Sequence, residues 1–172
     1  MPTPLGHALG GVAGGLLIGS RSAAPHGGRR RALWLVALFA GLGMLPDVDF
    51  LFGTHRQVTH SIGAVLLVAA VTALLVPRQP RLWGATGGAY LTHVALDWLG
   101  ADTVAPFGLM ALWPFDTGFY LSPVALFHPV CRQYWLIECW FSLARAVVVE
   151  LLVLGPLVLL GLGWSGWRRR RG

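Results

Sequence analysis

Between Ala146 and Trp164 the chain runs for 19 residues with a single charged side chain, Glu150. A helix of about 20 residues crosses the hydrocarbon core of a bilayer, so this stretch predicts a membrane-spanning helix. A helix is the natural choice there, because it satisfies its own backbone N–H and C=O groups where no water is present. Four further apolar runs precede it: Leu5 to Ile18, Ala32 to Leu45, Ile62 to Val76 and Leu82 to Leu99. Charged residues make up only 12% of the 172, against about 25% in an ordinary soluble domain. The expected fold is therefore all-α, a polytopic membrane bundle of about five helices with a long extracytoplasmic loop. Residues 1–167 are expected to form one membrane-embedded domain, and residues 168–172 a basic cytoplasmic tail.

The positive charge is carried by arginine alone, and mostly in clusters beside the apolar runs. Arg21 stands with Arg29 to Arg31 in the expected loop Ser20 to Arg31, Arg78 with Arg81, and Arg168 to Arg171 at the end. Such clusters mark the cytoplasmic side of a membrane protein. No basic stripe with interleaved aromatics occurs within a folded segment, so nucleic acid is not an expected partner. The first apolar run resembles a signal peptide only loosely, because its arginines follow it instead of preceding it. It is read as a retained helix whose glycines allow close packing. Cys131 and Cys139 form no CxxC or zinc pattern and read as two unpaired thiols.

The arginine clusters place the polar residues on one face. If they are cytoplasmic, the first, third and last helices run inward and the second and fourth outward. His7 then lies at the outer end of the first helix. Asp47 and Asp49, after the helix-breaking Pro46, lie just past the second. His55 and His60 precede the third helix, for which Thr59 or Ser61 can serve as N-cap. His93 and Asp97 lie in the outer half of the fourth, four residues apart and so on one helical face. The segment Gly100 to Val130 carries four prolines and six aromatics, and reads as an ordered surface loop of the kind that forms lids or binding sites.

Carboxylates near a bilayer cost roughly 2.5–3.5 kcal/mol each at a helix centre unless solvated, paired or metal-bound. A mixed His and Asp set suits zinc, and also manganese or iron. The expected metal set is His7, Asp47, Asp49, His60, His93 and Asp97, with the choice between Asp47 and Asp49 open. Each feature alone has a plainer reading: His7 as a cap, Asp47-Val48-Asp49 as a turn, His93 and Asp97 as a hydrogen-bonded pair. Asp102, Asp116 and His128 read as solvated or structural, and His26 as no ligand.

These residues carry a family resemblance. An early His7, Leu45-Pro46-Asp47-Val48-Asp49, His55-Arg56 with Thr59-His60-Ser61, and His93 with Asp97 resemble the LexA-binding, inner-membrane-associated, metal-dependent hydrolases of bacteria, a YdjM-like family. The resemblance spans roughly Leu5 to Pro129; Gln57 stands where that family commonly has Gly. The family in turn is similar to zinc-dependent phospholipases C. That similarity implies a metal held by His60, His93, Asp97 and one of Asp47 and Asp49, with His7 sharing Asp97 towards a second metal. No further His-x-x-x-Glu motif follows, since Tyr134 precedes Glu138 by four residues, so one or two ions are expected.

The functional expectation is a membrane-bound hydrolase of phosphoesters, lipid or lipid-linked, that uses metal-activated water. Asp49 would orient or deprotonate the water, and Arg56 would stabilise transition-state charge. The expected location is the inner membrane, with membrane lipids around it, the site outside and the C-terminus in the cytoplasm. The alternative is a non-enzymatic membrane protein, either a transporter or a structural and partner-binding protein.

Overall fold

The computed structural model describes residues 1–19, 28–53, 55–131 and 133–170, the last five without side-chain detail. It contains five α-helices: α1 (Pro4–Gly19), α2 (Gly28–Met44), α3 (Ile62–Leu75), α4 (Pro80–Trp98) and α5 (Ile137–Arg170). Most of the expected loop Ser20 to Arg31, with Arg21 and His26, lies outside the described residues. Gly28 to Arg31 do not belong to a loop; they form the first turn of α2. Arginine is a good helix former, and its side chains are exposed here. At the other end, α5 continues through Arg168 to Arg170 instead of stopping before a separate tail.

Five helices are present, but two segments are long and apolar enough to span a bilayer. They are Gly28–Phe52, which joins α2 to the turn after it, and Ile137–Ser165 within α5. Only 28% and 22% of their most apolar windows are buried inside the protein, unlike the core helices of a soluble fold. Two spans are therefore what length and hydropathy support among the described residues. α1 and α3, at 16 and 14 residues, reach only about 24 and 21 Å at 1.5 Å per residue, against a core about 30 Å thick.

α1 is the centre of the packing and touches α2, α4 and α5, while α3 lies on α4. Small residues bring the backbones together. At Gly11 and Gly43 the α1 and α2 backbones meet so closely that a Cβ on Gly43 would overlap the His7 carbonyl oxygen. Val12, Leu16, Leu35, Phe39, Ala85 and Ala89 fill the space beside this crossing. In lipid, such packing replaces the hydrophobic drive that holds soluble helices together.

Pro46 ends α2, and the chain tightens into a 3-10 segment, Leu45–Phe52, closed by Gly53 in the left-handed region at φ 76°. Ser61 is the N-cap of α3; its hydroxyl accepts the Ala64 N–H at 3.1 Å. Two more free N–H groups at that helix start, of Ile62 and Gly63, donate to Ala111 and Trp113 of the long loop, each at 2.9 Å. The loop is thus ordered, as expected, and is fastened to the helix that follows His60. The reading of Cys131 and Cys139 as free thiols is overturned: they form a disulfide that ties the end of the loop to the first turn of α5.

Glu150, the one charge in the last apolar run, is buried and reaches α1. Its carboxylate accepts the Thr3 N–H at 2.6 Å and the Thr3 hydroxyl at 2.5 Å. It thereby caps the helix that carries His7 and fastens it to the long span.

The α1–α2 crossing is a sharp place to test this packing. Gly43→Val should destabilise the fold by about 1–3 kcal/mol through overpacking, read as a lower melting temperature in detergent. Gly41→Val, at a position with open space around it, should leave the melting temperature nearly unchanged.

Candidate metal centre

Three segments bring four polar side chains to one point. Asp47 comes from the 3-10 segment after α2, His60 from the short turn Val58–His60, and His93 and Asp97 from α4. The two Nε2 atoms of His60 and His93 face each other at 3.0 Å. Asp97 Oδ2 is 3.4 Å from each of them, and Asp47 Oδ1 lies 3.7 Å from His60 and 3.6 Å from His93. One donor atom from each residue fits within 4.8 Å of all the others.

The hydrogen bonds define the tautomers. His93 Nδ1 is 2.7 Å from the Gly43 carbonyl oxygen, which only accepts, so Nδ1 carries the hydrogen and Nε2 the lone pair. His60 Nδ1 is 2.9 Å from the Thr59 hydroxyl, whose own hydrogen goes to Asp49 Oδ2 at 2.8 Å. His60 Nδ1 is therefore also a donor. Two lone pairs facing each other at 3.0 Å repel unless a cation lies between them. A proton can serve: burial lowers the His60 pKa, but Asp47, Asp49 and Asp97 outweigh it and raise the ring to about 9. One proton, however, leaves two carboxylates converging on the same buried point.

A divalent ion fits the set better. Ligands about 2.0–2.1 Å from a tetrahedral zinc stand about 3.3–3.4 Å apart, close to the separations here. Asp47 Oδ1 and both oxygens of Asp97 are buried without a hydrogen-bond partner among the described residues. Unsatisfied acceptors of this kind are costly, and their convergence on two imidazole lone pairs is a cation's donor set.

The aspartate pair is divided by the fold. Asp47 faces the Nε2 side of His60 and Asp49 the Nδ1 side, at 3.2 Å. Asp49 also accepts from His55 Nδ1 at 2.8 Å and from the Arg56 N–H at 3.1 Å. Asp49, His55 and His60 form a second close group of potential donors, though these contacts are those of hydrogen bonds. His7 is buried and stacks on His93 with ring centroids 3.8 Å apart. Its Nε2 is 3.3 Å from Asp97 Oδ1, and among the described residues neither ring nitrogen has a hydrogen-bond partner. Asp97 thus stands between His7 and the histidine pair.

Arg56 reaches in another direction, pairing with Asp102. Burial alone would raise the Asp102 pKa, but Arg56 and the N–H groups of Gly108 and Val104 hold it below the usual carboxylate range. Asp102 is therefore a paired residue that fixes the loop beside the centre. Asp116 bonds to Tyr120 at an exposed part of the same loop.

Nothing in the residue pattern singles out Gly43 or Tyr90. Gly43 supplies a carbonyl, which every residue has. Tyr90 donates its hydroxyl to the Thr59 carbonyl at 2.7 Å and so steadies the His60 turn. Thr59 and His55 stood beside His60 in the sequence, but their contact with Asp49 depends on how the turn folds.

This arrangement is that of an all-helical membrane protein with a buried His and Asp cluster able to chelate a divalent ion. The family model of the YdjM inner membrane protein matches residues 1–171, and the chain belongs to that family. No curated protein and no solved structure gives a significant match.

The raised His60 pKa has a consequence for stability. Without metal, the stabilisation from charged His60 is fully present below about 6.5, its ordinary value, and is lost as pH rises through about 9. Metal must displace that proton, so metal binding strengthens over the same range. The difference in melting temperature between zinc-loaded and chelator-treated protein should widen from pH 6.5 to 9. A difference that stays constant would remove His60 from the metal set.

Proposed function

We propose that this protein is a metal-dependent hydrolase of phosphoesters, with one metal held by Asp47, His60, His93 and Asp97. The observation that carries the reading is the convergence of two imidazole lone pairs and two unpartnered carboxylates at one buried point. A divalent metal bound there would supply Lewis-acid chemistry and lower the pKa of water from about 15.7 towards about 7. Zinc fits the tetrahedral donor separations, and manganese or iron is compatible with the same ligand types.

The protein's own residues have distinct tasks in this reading. The Gly43 carbonyl orients His93, and Thr59 with Asp49 orients His60, so both rings present Nε2 inward. Outer partners of this kind typically change metal affinity or activity by 10–100-fold when removed. In this reading Asp49 orients His60 through Thr59 and its own contact with Nδ1. Asp47 is about one quarter exposed and is the cluster member that borders the neighbouring cavity. Arg56 borders that cavity too and offers guanidinium donors to a phosphoryl oxygen. His7, stacked on His93 and close to Asp97, is placed to take part in a second metal.

The position in the membrane follows a consistent pattern. The two candidate spans have arginines at one end, Arg29 to Arg31 and Arg168 to Arg170, and the centre near the other. Arginine marks the cytoplasmic side, and that supports a centre on the outer side. The disulfide lies at the same end as the centre, and disulfides persist in oxidising compartments.

A structural metal site is the second reading, favoured by the number of protein ligands: four can close a tetrahedral shell. Metal content and turnover separate the two. Purified wild-type protein should hold about one or two equivalents of zinc or manganese, and His60→Ala and His93→Ala should lose it. Hydrolysis of bis(4-nitrophenyl) phosphate should fall at least 100-fold in both variants. Full metal occupancy with no turnover of phosphodiesters or phosphomonoesters would favour the structural role.

A further inference from the structure

Beside the centre lies a cavity of about 520 Å³, within the usual range for small-molecule sites of about 300–1,000 Å³. Its walls are of two kinds. Asp47, Arg56, Asp102, Thr103 and Gln133 supply its polar lining, and Phe50, Pro129, Val130 and Tyr134 its apolar walls. Arg56 spends Nη1 on Asp102 and Nε on the Met1 sulfur; its Nη2 has no hydrogen-bond partner among the described residues.

The wall residues also locate the cavity relative to the bilayer. Asp47 and Phe50 belong to the end of the first candidate span, Gly28–Phe52, and Pro129 to Tyr134 lead into the second, which begins at Ile137. The cavity therefore sits between the ends of two membrane-crossing segments, at the depth where lipid head groups meet hydrocarbon. The surface nearby is apolar and uncovered: Leu51, Phe52 and Trp135 are 80%, 78% and 78% exposed. A patch of this kind on a membrane protein is matched to lipid rather than to water.

We infer that the cavity binds a membrane amphiphile, with an anionic phosphoryl head against the Arg56 guanidinium and its hydrocarbon tail passing Phe50 and Tyr134 into the bilayer. The inference rests on the hydrolase reading for the fate of the head group and deepens it by naming the substrate class. The cavity is too small for a whole lipid, so it selects the head and first carbons and leaves the tail outside. Each CH₂ group buried against the apolar wall adds to binding, so even a few separate a lipid from its water-soluble head.

The test uses full-length protein in phosphatidylcholine nanodiscs, with empty discs subtracted. Two probes share one phosphomonoester head: oleoyl lysophosphatidic acid and glycerol 3-phosphate. The wild type should bind the lysolipid at least ~10-fold more tightly. Val130→Trp, which fills the cavity, should abolish that preference, and Phe50→Gln should weaken the lysolipid alone. Should Val130→Trp fail to fold, Phe50→Gln decides. Equal binding of the two probes by the wild type, or an undiminished preference in folded variants, overturns the proposal.

Zinc content is measured on the same samples. Lysolipid binding through the cavity without any bound metal would sink the hydrolase reading and leave the amphiphile site standing. A metal-loaded protein with no preference for the lysolipid would overturn the amphiphile site alone.

Discussion

Two imidazole nitrogens 3.0 Å apart, both turned inward by hydrogen bonds on their far sides, set the terms for the rest of this molecule. With two carboxylates added, the assembly is tolerable only around a cation. A carboxylate near the middle of a membrane helix costs roughly 2.5–3.5 kcal/mol by itself. A bound divalent ion turns that repulsion into coordination. The same ion would join the end of α2, the turn before α3 and the C-terminal half of α4, adding to the apolar contacts that already hold α2 and α3 against α4.

The helices answer to this constraint in detail. α1 and α2 cross on glycine, and at that crossing the Gly43 carbonyl accepts from His93 Nδ1. The His60 turn is held from three sides, by Asp49, Thr59 and Tyr90. The loop after α4 caps the start of α3 and places Asp102 against Arg56. α5 fastens α1 through Glu150 and Thr3, so the long span and the helix bearing His7 form one packed unit. Stability and site geometry share these contacts, and a change at Gly43 or Glu150 acts on both.

Much of the centre was legible in the sequence because its residues are of unusual types for apolar surroundings. His60, His93, Asp97 and the Asp47 and Asp49 pair stand out against long apolar runs, and the arginine clusters place them on one face. The choice between Asp47 and Asp49 was not legible. It depends on a 3-10 segment, whose tighter turn sends the two side chains to opposite faces of His60, and residue spacing does not reveal that. The sequence pattern marks five apolar runs but not their helical lengths, and α1 and α3 form helices of only 16 and 14 residues. Glu150 was visible as a lone charge, yet its partner Thr3 lies 147 residues away. The disulfide was missed for a related reason: a spacing of eight residues becomes a close approach only when the chain turns before α5.

The central claim is tested most directly by X-ray absorption at the zinc edge on zinc-loaded protein in detergent. The account predicts a first shell of nitrogen and oxygen at about 2.0–2.1 Å, with the outer scattering of two imidazole rings. That outer scattering should fall in His93→Ala. A shell containing sulfur, or one of water oxygens without imidazole, would contradict it.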